Sequence, residues 1–366
     1  MQGGWLTPRV SVVVASYNHA NFIEDALRSV LAQTYTDFEI LVVDDGSTDD
    51  SVDRIGALGD SRISLTALPR NMGACVAMNR AIRSARGEFV SVLNSDDQFL
   101  VDKLERQVRF LDANADTAAV FGWPELIDES GAPFRDSTHK DYEVFRVGNR
   151  PRAEWLRHFF DRGNCLCHPT LLIRRACYGE IGFYDARLAQ VPDLDFWVRL
   201  VMRHPIHVLP ETVTRFRIRA DQSNASAARP DVIIRDAWER RHVLSHFLRL
   251  SPEDFASAFP EYRGRTEPMA QLLAERALTL AMPFYVAFAL DALFGAMPPD
   301  GEGSAYHEFH RQTGRCDVFG ILAGAKVGSS PLPESGPRLQ PIGSGIEGAS
   351  AARCSWMRRL WRGRAR

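Results

Sequence analysis

The chain has 366 residues, 45% hydrophobic and 25% charged, the composition of an ordinary globular protein long enough for one large domain or two of average size. Lys and Arg number 44 against 46 Asp and Glu, so the large basic excess of a nucleic-acid-binding protein is absent and no nucleic-acid partner is expected. Six cysteines at irregular spacing, with neither a basic nor an apolar leader in residues 1–9, exclude a disulfide framework and give the expectation of a reducing, cytoplasmic compartment.

Residues 1–9 read as a flexible lead. From Val10 short apolar runs with strand character (10–15, 38–43, 63–68 and 88–93) alternate with stretches at helical spacing (22–33 and 74–85). Such alternation describes repeated βαβ units and a parallel sheet. Ligands of open α/β sheets bind at the carboxyl ends of the strands, which places the chemistry just after Val14, Val43 and Leu93.

A helix over 102–114 and a strand over 118–123 continue the unit, and the turn at 129–133 signals a hairpin. A loop over 136–150, a helix over 152–161 and a strand over 170–173 follow. Cys165 and Cys167 alternate as on the buried face of a strand, and no second ligand pair follows to make them a zinc site. Beyond Arg217 strand signals stop. Residues 230–250 read as one helix, and Ser251-Pro252-Glu253-Asp254 as the capped start of another.

The apolar stretch 278–294 is interrupted by Thr279, Pro283 and Asp291 and is marginal in length for a bilayer, so a buried or interfacial helix is expected. Residues 328–351, rich in Gly, Pro and Ser, read as a linker. The tail 353–366 combines six arginines with Trp356 and Trp361 and no acid; a solvated tail and a peripheral contact with anionic lipid are both open to it. Asn224-Ala225-Ser226 matches a glycosylation acceptor incidentally.

Three polar clusters follow three successive strands: Ala15-Ser16-Tyr17-Asn18, Asp44-Asp45-Gly46-Ser47 and Asn94-Ser95-Asp96-Asp97. A strand-end carboxylate accepts from a base or a ribose, an aromatic ring such as Tyr17 stacks on a nucleobase, and paired aspartates hold a hard cation against a diphosphate. Together they describe a nucleotide diphosphate site.

These residues carry a resemblance. VSVVVASYN over 10–18, VVDDGSTD over 42–49, Asn71-Met72-Gly73 with Asn79, and LNSDD over 93–97 closely resemble the family 2 glycosyltransferases of the GT-A fold. His168-Pro169-Thr170 with Arg174-Arg175, IGFYD over 181–185 and PDLDFWVR over 192–199 continue it in order. The resemblance implies an α/β GT-A domain over 10–226, with a mixed, mostly parallel sheet flanked by helices; a helical region over 227–327 and a flexible linker and basic tail over 328–366 complete the chain.

It also implies roles. Ala15, Ser16 and Tyr17 would line the base pocket, Asp45 would accept from the nucleobase beside Asp44, and Asn71, Asn94 and Asp96 would join the donor site, with Asp96 on the ribose. Asp97 would hold a divalent cation, Mn²⁺ or Mg²⁺, which neutralises the departing diphosphate. Asp193 would be the base that activates the acceptor hydroxyl, with Asp195 the other candidate, and the anomeric centre would invert. His168 would either approach the diphosphate or support a loop.

The implied donor is a UDP-sugar and the acceptor a glycan, a lipid-linked sugar or a protein, in bacterial surface glycan synthesis in the cytoplasm, at the inner face of the membrane for a peripheral enzyme. Three positions depart from the common pattern: Asn94 replaces an aspartate, Pro192 a glutamate, and Arg219 a metal-binding histidine. A guanidinium cannot ligate a cation but can clamp a diphosphate. Two other classes compete: a nucleotide-sugar binding module without turnover, and a nucleotidyltransferase, which would need a glycine-rich phosphate loop where Ser16-Tyr17-Asn18 stands.

Overall fold

The computed structural model describes residues 7–136, 139, 141–219, 230–300 and 302–314. The expected boundary at Ser226, the acceptor-like Asn224-Ala225-Ser226 and the tail over 328–366 lie outside the described residues.

The chain begins β1 (Val10–Ser16), α1 (Ile23–Leu31), β2 (Phe38–Asp44), α2 (Ser51–Ala57), β3 (Ile63–Ala67), α3 (Ala74–Ser84), β4 (Phe89–Asn94), β5 (Gln98–Phe99) and α4 (Lys103–Ala113). It continues through β6 (Ala119–Ile127), α5 (Asp141–Val144), α6 (Arg152–Arg162), β7 (Leu172–Arg174), α7 (Ala176–Ile181), α8 (Pro192–Val201) and β8 (Ile206–Arg217). Helices α9 (Pro230–Leu244), α10 (Pro252–Ala258), α11 (Met269–Leu280), α12 (Pro283–Ala296) and α13 (Ser304–Thr313) follow.

One eight-stranded sheet has the order β3-β2-β1-β4-β7-β6-β8-β5. β1 pairs in parallel with β2 and with β4, and β2 with β3. β7 runs antiparallel to β4 and β6, β5 antiparallel to β8, and β6 parallel to β8. This is the expected mixed, mostly parallel sheet. Strand order reverses at β1, and the crevice of such a reversal opens at the carboxyl ends of β1 and β4.

Near-continuous apolar runs produce this arrangement. Every residue of β2 is buried, and Val10, Val12 and Val14 of β1 are buried in the core with Phe89 and Leu93 of β4. Strands covered on both faces need such runs, whereas alternation suits half-exposed ones. Helix α1 covers one face with Ile23, Ala26, Leu27 and Val30, the apolar spacing of a one-sided helix.

The chain forms two compact units, Met1–Arg263 and Gly264–Arg366, so α9 and α10 belong with the sheet. In the second unit α11 and α12 pack together, and the rings of Phe294 and Phe309 join α12 to α13 at 5.9 Å. The apolar stretch 278–294 is two helices rather than one: Ala281 takes a left-handed φ of 53°, and Pro283 starts the next helix. No helix of the described residues is long and apolar enough to cross a membrane.

Three local expectations differ. The helix over 230–250 ends at Leu244, and Ser245–Arg249 tightens to a 3₁₀ turn. The strand over 170–173 is a 3₁₀ turn at His168–Thr170 followed by β7. Cys165 and Cys167 are buried as expected but lie outside any strand, because the Asn164 amide oxygen takes the Leu166 N–H and the Thr170 hydroxyl takes the Cys167 carbonyl. Side-chain bonds here replace a ladder. The Ser251 cap is present, its hydroxyl accepting from Asp254 N at 3.0 Å.

Leu27 is fully buried between α1 and the sheet. Leu27→Ala is expected to cost about 2–5 kcal/mol, read as a lowered denaturation midpoint at unchanged slope in urea.

Candidate functional site

The three polar clusters meet because the loops are stitched to one another. Asp45 N donates to Ser16 O at 2.8 Å, Asn18 N to Ser47 Oγ at 2.9 Å, and Thr48 N to Asn18 Oδ1 at 2.8 Å. His19 N donates to Ser51 Oγ at 3.0 Å and Ala20 N to Asp49 Oδ2 at 3.0 Å. Asn18 makes the turn possible with φ 51°, a conformation that asparagine tolerates. Ser16 Oγ is buried with no hydrogen-bond partner among the described residues, and Tyr17 is 42% exposed. Such an orphaned hydroxyl at a strand end calls for a ligand or a water.

Asp44 and Asp45 are both buried, and both serve loops. Asp44 accepts from Ser47 N at 2.8 Å and Ser47 Oγ at 2.6 Å, closing its own turn. Asp45 accepts from Met72 N at 2.7 Å and Gly73 N at 2.8 Å, fixing the entry to α3. Gly46 makes the approach possible: its φ is +77°, and a Cβ there would stand 2.5 Å from the Arg70 carbonyl carbon. Asn71 accepts from Gly73 N at 3.2 Å, and Asn79 exchanges two bonds with the Tyr184 backbone.

The aspartates after β4 differ sharply. Asp97 is 1% exposed and both its oxygens are taken, by Asn94 Nδ2 at 2.8 Å and Arg217 N at 2.8 Å. Burial, with the Asp96 charge beside it, pushes the Asp97 carboxyl well above the usual range. Asp97, the carboxylate expected to hold the cation, thus has one hydrogen bond on each oxygen, which leaves a further lone pair on each. Asp96 is half-buried, and no hydrogen bond among the described residues ties its carboxylate. Arg217 supports it by donating from Nε to Asp96 O at 2.7 Å.

His19, which the motifs do not single out, joins two loops: its Nδ1 meets Ser95 Oγ at 2.7 Å and its Nε2 meets Arg219 Nη1 at 2.9 Å. A guanidinium only donates, so Nε2 accepts and Nδ1 carries the proton toward Ser95. Burial, helped by the Arg219 charge, lowers the His19 pKa and keeps that tautomer neutral.

Asp193 and Asp195 stand in the first turn of α8, with Pro192 starting the helix. Asp195 is 1% exposed and bonded to Arg199 Nε at 2.8 Å and His246 Nε2 at 2.7 Å. Burial works to raise its pKa, but the His246 hydrogen bond and the Arg199 charge outweigh it and hold the carboxyl below its ordinary value. Asp195, His242 and His246 bring ligand-type atoms within 4.8 Å of one another, but the two oxygens of Asp195 are already engaged.

Asp193 is half-buried, accepts from Asn164 Nδ2 at 2.6 Å and Leu194 N at 2.8 Å, and is pushed up to about 6 by burial. Its charge reaches Cys75 at the start of α3 and Cys167, and Cys167 also feels Asp97. Cys75 Sγ lies 3.6 Å from Leu188 O. Asp193 therefore lies within electrostatic reach of the start of α3, whose entry Asp45 fixes. Trp197 and Leu200 are core, as expected. His168 supports a loop: Nε2 meets the Tyr184 hydroxyl at 2.9 Å, and the ring packs 5.8 Å from Trp197.

Burial depresses His168 to about 4, below its ordinary 6.5. The unfolded chain therefore takes up this proton first, and stability present above about 6.5 is lost as pH falls toward 4. Asp193, raised in the folded state, acts in the opposite sense and loses its contribution as pH rises through about 6. His168→Gln is expected to shrink the loss of stability between pH 7 and pH 4.5, measured by urea denaturation at constant ionic strength.

Residues 11–178 match the family model described as Glycosyl transferase family 2. A Bacillus subtilis protein, TuaG, provisionally named as a teichuronic acid biosynthesis glycosyltransferase, is 38% identical over 198 residues, 54% of this chain and 73% of its own length. The uncharacterized glycosyltransferase MJ1057 of Methanocaldococcus jannaschii is 26% identical over 223 residues, 60% of this chain and 73% of its own. Two longer Rickettsia relatives are matched over 35% of their length. Among solved structures, S. aureus TarS 1-349 in complex with UDP-GlcNAc shares the fold at a TM-score of 0.58 and 18% identity, over 86% of this chain and 90% of its own.

Proposed function

The chain belongs to glycosyltransferase family 2, and we propose from that premise that it moves a sugar from a UDP-sugar to an acceptor hydroxyl, with inversion, in surface glycan synthesis. The observation that carries this is the meeting of the three strand-end clusters at the reversal of the sheet, and Asp193, pushed up to about 6 by burial, is the candidate base. A base poised near neutral pH keeps both the right protonation state and enough driving force for proton transfer. TuaG and TarS support the substrate class by what their own names state.

Tyr17 offers its exposed ring to the nucleobase and Ser16 its orphaned hydroxyl, while Asp44 and Asp45 shape the loops around them. Asp96, rather than Asp97, is the carboxylate that fits a divalent cation, because it alone in that run is partly exposed and unbonded among the described residues. One open carboxylate suits Mg²⁺ or Mn²⁺, whose remaining positions go to phosphate oxygens and water. When bound, the cation would neutralise charge on the departing diphosphate. Arg219, held by neutral His19 and with its charge over the Phe22 ring, adds a permanent positive charge to the same place.

Asp193 is the proposed base, favoured by a carboxyl pushed up to about 6 where that of Asp195 is held down. Asp195 holds a buried ion pair with Arg199 and is engaged on both oxygens, so it holds α8 in place. A peripheral membrane position remains an expectation of the tail.

Titration calorimetry of UDP, GDP, dTDP and CDP, each with Mn²⁺ and then with excess chelator, tests the donor site. Metal-dependent preference for UDP is expected, weakened at least tenfold in Asp96→Ala; no binding by any of the four sinks the assignment.

Asp193→Asn is expected to leave UDP affinity unchanged while lowering turnover of the UDP-sugar by about a hundredfold or more, and wild-type turnover is expected to fall away below a pH of about 6. Retained turnover in Asp193→Asn removes it from the chemistry.

A further inference from the structure

The segment leading into α8 is held by a helix that lies beyond the matched region. Ala189 N donates to Glu239 Oε1 at 2.8 Å, and Gln190 N and Val191 N donate to Glu239 Oε2 at 2.7 and 3.0 Å. Glu239, on α9, is fully buried. Seven residues on, in the 3₁₀ turn after α9, His246 meets Asp195. Helix α9 and the turn that follows it therefore grip the stretch just before Asp193 and the residue two places after it.

Between those grips lies Arg240, whose charge is felt by Asp193. Gly163, at φ +80°, makes room for it: a Cβ there would lie 2.4 Å from Arg240 Nη1. Asn164, the next residue, is the one that donates to Asp193.

We infer that Glu239 is a positioning residue for the base: by gathering the N–H groups of Ala189, Gln190 and Val191 on one buried carboxylate, it fixes where Asp193 stands. This rests on the role proposed for Asp193. Only an anion with two acceptor oxygens suits the task, since an amide brings one acceptor and an NH₂ group that opposes an N–H. Glutamine at this position leaves a buried donor unpaired, and aspartate keeps the charge but is one methylene too short.

The groups whose charge or hydrogen bond reaches Asp193 are Arg240 from α9, Asn164 and Cys167 from the turn after α6, Cys75 from α3, and Tyr184. Arg240 and the helix N-terminus favour its charged form, whereas burial opposes it and prevails. Releasing residues 189–191 admits water to the start of α8 and removes the opposing contribution.

The test follows the Cγ resonance of Asp193 in protein labelled with ¹³C-aspartate, assigned by its loss in Asp193→Asn. The wild-type midpoint is expected at about 6. In Glu239→Gln it is expected to fall by about one pH unit or more, a tenfold change in proton affinity, with Glu239→Asp between the two. A midpoint unmoved in variants whose near-ultraviolet circular dichroism matches wild type overturns the inference. Loss of that spectrum in both variants overturns it too, since Glu239 then serves the whole fold. Turnover retained in Asp193→Asn strikes the assignment of the base instead, leaving the midpoint to judge Glu239.

Discussion

Burial of β2 and most of β1 and β4 on both faces is the constraint from which the site follows. A parallel strand covered by helices tolerates polar side chains only where they are paired, as Ser11 is with Glu39 and Ser91 with the Leu171 carbonyl, and its other polar residues collect where the strand stops. In β1, β2 and β4 those stops are Ser16, Asp44 and Asn94, side by side because β1 pairs with both neighbours in register. The loops that follow must then satisfy backbone N–H groups that no strand partner takes, and they do so with the side chains of Asn18, Asp44, Asp45, Ser47 and Asp49.

The carboxylates in this region share a residue type and little else. Asp44, Asp45 and Asp97 spend both oxygens on internal donors, and Asp195 spends its own on Arg199 and His246. Two remain for chemistry: Asp96, half-exposed and unbonded among the described residues, and Asp193, kept near 6 by burial despite two hydrogen bonds. A carboxylate unbonded among the described residues separates Asp96 from its neighbours, whereas Asp193, with a hydrogen bond on each oxygen, is set apart by its burial at the start of α8.

The sheet and its flanking helices were legible in the sequence because period and apolar runs report burial, and burial is what builds β1, β2, β4 and α1. The polar clusters were legible too, through their places after strands. What escaped was partnership. Nothing in Asp96-Asp97 tells which carboxylate faces inward, since that depends on Arg217, 120 residues away. His19 stood one residue past a motif and drew no notice until Arg219 met it across 200 residues. The break at Ala281 turns on one left-handed backbone conformation that an alanine does not announce, while Leu244 stays helical and the chain tightens to a 3₁₀ turn after it.

Glu239 carries that limit furthest. In the sequence it sits among Arg235, Asp236, Arg240 and Arg241, within the stretch that reads as one helix. In the fold α9 turns it inward, where burying an anion is tolerable only because three N–H groups converge on it. Those N–H groups are free to converge because they precede α8 and have no carbonyl four residues back within a helix to bind. The start of α8 and the inner face of α9 thus satisfy each other. Asp193, itself outside residues 11–178 of the family match, takes part of its surroundings from α9 and part from Asn164, Cys167 and Cys75 within it.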